Sequence, residues 1–254
     1  MKLIENLIVA FSMYSKIPMP HIEWNKENMR YTLCFFPLIG CVIGLLNWAW
    51  FRITLLADFH SSFVTAVFLL IPILVTGGIH MDGLLDTADA LSSWQPRERR
   101  LEILKDSHAG AFAIITCCCY FIALFGIWSQ ITPKALLVLG VGFSLSRALS
   151  GYGVAVIPCA KGSGLAHTFA EAADRKICRR VLTAEIVLCA GAMTAIDPVR
   201  GAFAAAAAFL TFLACRRLAL RKFGGTTGDI QGFFLQMCEL IMTFAAVLGG
   251  ALCS

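Results

Sequence analysis

A109-G-A-F-A-I-I-T-C-C-C-Y-F-I-A-L-F-G-I-W128 is a run of twenty residues without a charge. At 1.5 Å per residue it makes a helix about 30 Å long, the thickness of a bilayer's hydrocarbon core. In water such a helix would leave apolar surface uncovered on every side. In lipid it satisfies all of its backbone polar groups internally. Six further apolar runs accompany it, at about 33–51, 63–80, 136–157, 181–196, 201–215 and 233–252. The runs 181–196 and 201–215 are short for full spans, and a tight hairpin around Asp197–Arg200 is the simplest join between them. The pattern predicts an all-α polytopic membrane helix bundle of about seven transmembrane helices, with residues 1–254 as a single integral membrane domain. Residues 1–14 add an N-terminal amphipathic helix, because Leu3, Ile4, Leu7, Ile8 and Phe11 share one face suited to the membrane surface. Glu5 and Asn6 break that run early and no small-residue cleavage site follows, so no cleavable signal peptide is expected.

Composition points the same way. The 254 residues are 58% hydrophobic and 15% charged, with a mean hydropathy of +0.76. A soluble domain carries about 25% charged residues. The deficit excludes a soluble enzyme, a disordered chain and a nucleic-acid-binding module. Most of the 11 cysteines lie within apolar runs, and no C-x-x-C pair exists. They read as small apolar residues in a reducing cell, not as a disulfide or zinc framework.

The net charge of +5 matters less than its placement. Lys2, Lys16, Lys26 and Arg30 precede the first run. Arg97, Arg99, Arg100 and Lys105 lie in 81–108, and Lys161, Arg175, Lys176, Arg179 and Arg180 in 158–180. Arg216, Arg217, Arg221 and Lys222 lie in 216–232. The opposite connections hold only Arg52, Lys134 and Arg200. Cytoplasmic connections are enriched in Lys and Arg, so the four basic segments belong inside, at the inner membrane. Most carboxylates follow them, which places any polar chemistry at the cytoplasmic ends of the bundle.

Three stretches on that side can carry chemistry. The sharpest is H80-M-D-G-L-L-D-T-A-D89. Asp82, Asp86 and Asp89 recur at i, i+4 and i+7 and fall within about 60° of arc on one helix face. Carboxylates this close repel unless a cation neutralises them, and hard oxygen donors select Mg²⁺. His80 adjoins the cluster and can act as a base or a phosphate donor. The second stretch, R97-x-R-R-L-E-I-L-K-D-S-H-A-G110, offers Lys105, Asp106 and His108 beside its arginines, with Asp106-Ser107 placed to cap the next span. Its basic face suits phosphates and lipid headgroups equally. The third, G224-G-T-T-G-D-I-Q-G232, lets backbone N–H groups approach a phosphate at Gly225, Thr227 and Gly228, and supplies Asp229 as a further metal ligand. Arg147 and Glu239 lie inside spans, where an ion is costly, and are either functional or paired. On these residues alone a CDP-alcohol phosphotransferase, an Asp-rich prenyltransferase and a transporter stay open. A transporter, however, would place its carboxylates near the midplane of the bilayer.

Five ordered stretches resemble the cobalamin synthase family: S15-K-I-P-M-P20, F36-P-L-I-G-C-V-I-G44, G77-G-I-H-M-D-G-L-L-D-T-A-D89, R100-L-E-I-L-K-D-S-H-A-G110 and G224-G-T-T-G-D-I-Q-G232. The chain departs from the family pattern at Ala90, usually Gly, at His108, usually Arg, and at Ala166 within G164-L-A-H-T-F169. The resemblance implies a membrane enzyme whose partners are adenosylcobinamide-GDP and α-ribazole or its 5′-phosphate. It would form adenosylcobalamin or its phosphate and release GMP. It further implies Mg²⁺ on Asp82 and Asp86, with Asp89 and Asp229 completing the site, and Asp89 or His80 taking the hydroxyl proton. Substrate contacts would come from Lys105, Asp106, His108, Arg147, Gly225, Thr227 and Gly228. It leaves open a homo-oligomer or an association with other late cobalamin-pathway enzymes.

The charge pattern predicts an inside N-terminus. On a background without the native cysteines, single cysteines at Gln95 and Lys222 should resist an impermeant thiol reagent added to intact cells. One at Thr132 should react. Outside labelling at Gln95 would reverse the orientation.

Overall fold

The computed structural model describes residues 2–106, 108–162 and 164–252. Within them the chain forms eleven α-helices and no strand, only an isolated bridge between Cys159 and Thr226. In chain order the helices are α1 (Lys2–Tyr14), α2 (Thr32–Thr54), α3 (Ser61–Thr76), α4 (Ile79–Ser92), α5 (Arg97–Ile103) and α6 (Ala111–Trp128). They continue with α7 (Pro133–Val156), α8 (Leu165–Ala172), α9 (Arg175–Ile196), α10 (Pro198–Leu218) and α11 (Gly228–Ala251). A π-helical turn, Ala219–Phe223, extends α10 toward the Gly-rich loop.

The starts are marked as helix starts usually are. Thr132, Asp174, Asp197 and Thr227 cap α7, α9, α10 and α11 with their side-chain oxygens, satisfying N–H groups that have no partner inside the helix. Pro133 and Pro198 occupy the first helical position, where a missing N–H costs nothing.

α7 is the axis of the bundle and packs against α2, α9, α10 and α11. Its neighbours come close where side chains are absent. A Cβ at Gly44 of α2 would stand 2.5 Å from the Gly140 carbonyl oxygen, so the two backbones meet directly, as small residues allow in membrane bundles. The outer helices show the opposite pattern: Ile114, Ile115 and Ile122 of α6 and Phe209 and Leu210 of α10 are exposed. A bilayer covers such faces without cost, and the protein is a multi-pass membrane protein.

At the centre, Arg147 of α7 is fully buried and donates to Glu239 Oε1 of α11 at 2.6 Å and to the Phe143 carbonyl at 2.8 Å. Ser146 Oγ donates to the same carboxylate at 3.1 Å. The two intramembrane charges are therefore a structural pair that ties the axis helix to α11.

The expected runs are all helical, but fewer than seven of the helices have the length and apolarity of a full span. Among the described residues five helices are long and apolar enough to cross a membrane, six if α3 and α4 are counted as one bent span. α9 falls short because Arg175, Lys176, Arg179, Arg180 and Glu185 dilute its apolar face. It nonetheless lies along α7, with Leu182 beside Gly151 at one end and Met193 beside Gly142 at the other. α10 is longer than the sequence suggested, because its ends are carried by Asp197 capping and by the π turn. Of the expected helix 1–14, the described part Lys2–Tyr14 is helical, with an inward face docked on protein: Val9, Ala10 and Phe11 are buried while Leu3 and Ile4 stay exposed.

Removing one partner of a buried ion pair strands the other, at about 3–5 kcal/mol. Arg147→Met and Glu239→Met should each lower the melting temperature of the detergent-solubilised protein sharply. The double variant should recover most of the loss. A double variant no better than either single would mean that the pair is not what joins α7 to α11.

Candidate active site

The site begins where a span stops. α3 ends at Gly77 and Gly78, both left-handed at φ 66° and 79°, a conformation that costs a residue with a Cβ and costs glycine little. The chain turns by 94° and continues as α4. Lys16 N–H donates to the Val75 carbonyl at 2.7 Å, locking the α1–α2 connection to the same bend.

α4 crosses the first turn of α11 at Gly83. A Cβ there would stand 2.6 Å from the Asp229 carbonyl oxygen, so only glycine permits the crossing. That contact brings the Asp-rich helix and the Gly-rich loop together. Asp82 and Asp229 both line one cavity of about 400 Å³, with Lys105, Lys161, Thr227 and Gly228. Asp86 lies close enough to feel both acids. Its carboxyl is pushed up to about 7, first by burial and then by the charges of Asp82, Asp229 and Asp89, against the pull of Lys161. Burial in turn draws the Lys161 ammonium below its ordinary value, against the attraction of Asp229. The corner thus holds an excess of negative charge in a partly desolvated place.

Hydrogen bonds fix the loops around it. Thr226 N–H donates to the Pro158 carbonyl and Ala160 N–H to the Thr226 carbonyl, both at 2.8 Å. Gln231 Nε2 donates to Thr226 Oγ1 at 2.9 Å, and Ser150 Oγ donates to Gln231 Oε1 at 3.1 Å. Thr227 Oγ1 accepts from Ile230 N–H at 3.3 Å and donates to Asp229 Oδ2 at 3.2 Å.

The remaining expected residues have diverse places. His80 lines the cavity, 6% exposed, beside the stacked rings of Tyr14 and Phe36, and its Nε2 is buried with no hydrogen-bond partner. Burial, and secondarily the charge of Arg147, draws its imidazole down to about 3, so it is neutral. Asp89 points the other way. Its Oδ2 accepts from Gly110 N–H at 2.5 Å and its Oδ1 from Ala113 N–H at 2.8 Å, so it caps α6 from a neighbouring helix. α6 needs this because its own N-cap residue is Gly110, which has no side chain. Gly225 packs on the Pro158 carbonyl and shapes the loop from behind. Asp106 and His108 pair with each other at 2.8 Å on the exposed surface, away from the cavity; Ser107 lies outside the described residues. Arg147 is in the bundle core and does not line the cavity.

Tyr14, Phe36 and Lys161 line the cavity without having stood out as site residues. Lys161 alone carried a signal, as a base in a Gly-rich connection. Among the described residues no three His, Cys, Asp or Glu side chains form a ready cage for a metal. Mg²⁺ does not require one, since it is usually held by one or two carboxylates together with water and substrate phosphates. The carboxylates of Asp82, Asp86 and Asp229, with their unbalanced charge, fit that demand.

The profile of the family described as CobS, cobalamin-5-phosphate synthase, matches residues 6–247. A protein of Lachnoclostridium phytofermentans named adenosylcobinamide-GDP ribazoletransferase is 45% identical over 98% of this chain and 95% of its own. Proteins of the same name from Acetivibrio thermocellus and Pseudomonas putida are 32% and 34% identical. They cover 98% and 88% of this chain, and 98% and 89% of their own. No solved structure matches the chain.

His80 makes stability depend on pH in a calculable direction. The unfolded imidazole takes a proton below about 6.5, which the folded one cannot accept until about 3. Stability is therefore lost as pH falls from 6.5, by about 2 kcal/mol at pH 5. Asp86, raised in the fold, works in the opposite sense, so the comparison must be between variants. Between pH 7 and pH 5 the wild-type protein should lose more thermal stability than His80→Gln. Equal losses would mean that His80 is not held neutral.

Proposed function

The chain belongs to the cobalamin-5-phosphate synthase family, and on that premise we propose that it joins adenosylcobinamide-GDP to α-ribazole or α-ribazole 5′-phosphate with release of GMP, a late step of cobalamin biosynthesis. The supporting observation is the cavity, where the Asp-rich helix, two lysines and the Gly-rich loop converge at one end of the bundle.

The reaction exchanges a phosphoanhydride bond for a phosphoester bond. A ribose hydroxyl forms a bond to the cobinamide-linked phosphorus, the bond from that phosphorus to the GMP oxygen breaks, and the hydroxyl proton leaves. Little covalent work falls to the protein, so positioning and charge stabilisation dominate. Lys105 and Lys161 attract the diphosphate, and the first N–H groups of α11 at Thr227–Asp229 point to the same anion. Asp82, Asp86 and Asp229 would hold Mg²⁺, which would neutralise the diphosphate and the leaving charge. His80, whose neutral ring lines the cavity and whose buried Nε2 has no hydrogen-bond partner, takes the hydroxyl proton. Its basicity is low in the empty site and rises when an anionic diphosphate enters beside it. Asp89, with both oxygens occupied, is a positioning residue that fixes α4 against α6. The positive-inside pattern supports a cavity that opens to the cytoplasm at the inner membrane.

Purified protein supplied with Mg²⁺, adenosylcobinamide-GDP and α-ribazole should release GMP and form the corrinoid product in equal amounts, and a chelator should stop both. Asp82→Asn and Asp229→Asn should each lower turnover on the order of 10²–10³-fold while the protein still inserts. Near-normal turnover in Asp82→Asn would refute the metal assignment. Absence of GMP release by the wild type would refute the reaction.

A further inference from the structure

The cavity has two ends of unlike chemistry, and the proposed reaction uses only one. The charged end is built by Asp82, Asp229, Lys105 and Lys161. The other end is lined by Met13, Tyr14, Leu33, Phe36 and Val154, none of them charged. Tyr14 and Phe36 stack there with ring centroids 4.1 Å apart, and the His80 ring lies 5.6 Å from Phe36. His80 stands two residues before Asp82 on α4, so it marks the junction between the two ends.

At about 400 Å³ the space suits a nucleoside-sized group, near the lower end for small-molecule sites, and the corrin macrocycle is left outside. A flat ring entering the apolar end gains area burial and the edge and offset contacts that aromatic rings favour. The buried, unpaired Nε2 of His80 is a second and independent mark of a ligand, because an unsatisfied buried nitrogen is costly until a partner arrives. A nucleoside suits both: its base fills the apolar end, and its ribose lies against the His80 ring at the junction.

We infer that Met13, Tyr14, Leu33, Phe36 and Val154 form the subsite for the flat heteroaromatic base of the incoming ribazole, with the His80 ring beside its ribose. The inference rests on the reaction proposed above. The competing occupant is guanine, whose edge is rich in hydrogen-bond donors and acceptors. The five side chains carry one hydrogen-bonding group between them, the Tyr14 hydroxyl, and the nearby Ser150 and Gln231 are already bonded to each other and to Thr226, so little is left to read that edge. They suit the weakly polar ring system of ribazole.

The test is steady-state kinetics on the full-length protein in detergent, varying each substrate in turn. Val154→Phe fills the apolar end and Phe36→Leu removes its ring. Each should raise KM for α-ribazole tenfold or more and leave KM for adenosylcobinamide-GDP within twofold. With Val154→Phe, a riboside bearing a smaller single-ring base should lose less than α-ribazole does. Val154→Leu, one carbon larger than the native residue, replaces Val154→Phe if the latter fails to insert. A rise confined to adenosylcobinamide-GDP would assign the subsite to guanine and overturn the inference, as would equal rises for both substrates or no change in either. If the wild type itself turns over no α-ribazole, the proposed reaction has failed. If it does and the variants are not selective, the subsite alone has failed.

Discussion

A charge is expensive inside a bilayer, and the layout of this protein follows from that one constraint. Lys and Arg gather on alternate connections, and the carboxylates of chemical interest follow them to the same end. Helices must cross because no other segment satisfies its backbone in lipid, so each connection is committed to one face. A polar site is then assembled from whatever connections share that face: the end of α3, the end of α7, the loop before α8 and the start of α11. The two ions that remain within the bundle, Arg147 and Glu239, are admitted because they neutralise each other, and they hold the central helices together.

α4 shows how one helix face can serve several ends. Its three aspartates lie on one stripe, yet they have different partners. Asp82 and Asp86 face the start of α11 and the lysines, while Asp89 is used to begin another helix. The cap ties α4 to α6, the crossing at Gly83 ties it to α11, and the bend at Gly77–Gly78 ties it to α3. Held at three places, α4 presents its acids to the cavity with little freedom to relax. That rigidity keeps like charges together in a half-buried corner, where a cation and a diphosphate can neutralise them.

α1 has a role that an amphipathic pattern does not specify. Part of its apolar surface, Val9, Ala10 and Phe11, packs on protein while Leu3 and Ile4 stay exposed, and its last residue, Tyr14, becomes a wall of the cavity beside Phe36. The cavity is thus closed on one side by a helix outside the bundle, which separates an apolar end from the charged end. His80 sits between them, neutral because both neighbours are aromatic and the surroundings exclude water.

Much was legible in the residues alone. Periodicity and hydropathy located every long helix, because the cost of an unsatisfied backbone in lipid leaves a local signature about twenty residues long. Charge placement identified the face that carries the site. The i, i+4, i+7 spacing drew attention to α4, whose Asp82 lines the cavity, and the glycines of G224-G-T-T-G-D-I-Q-G232 to the loop that meets it there. What the linear chain left undecided were the questions that depend on a neighbour. Only packing shows that Asp89 caps α6, that Arg147 belongs to Glu239 rather than to a substrate, and that Asp106 and His108 are spent on each other at the surface. Only packing brings Tyr14, Phe36 and Lys161 into the cavity. Helix formation is decided by residues a turn apart and is therefore written locally, whereas a side chain's partner is decided by which helices touch, and that is a property of the whole bundle.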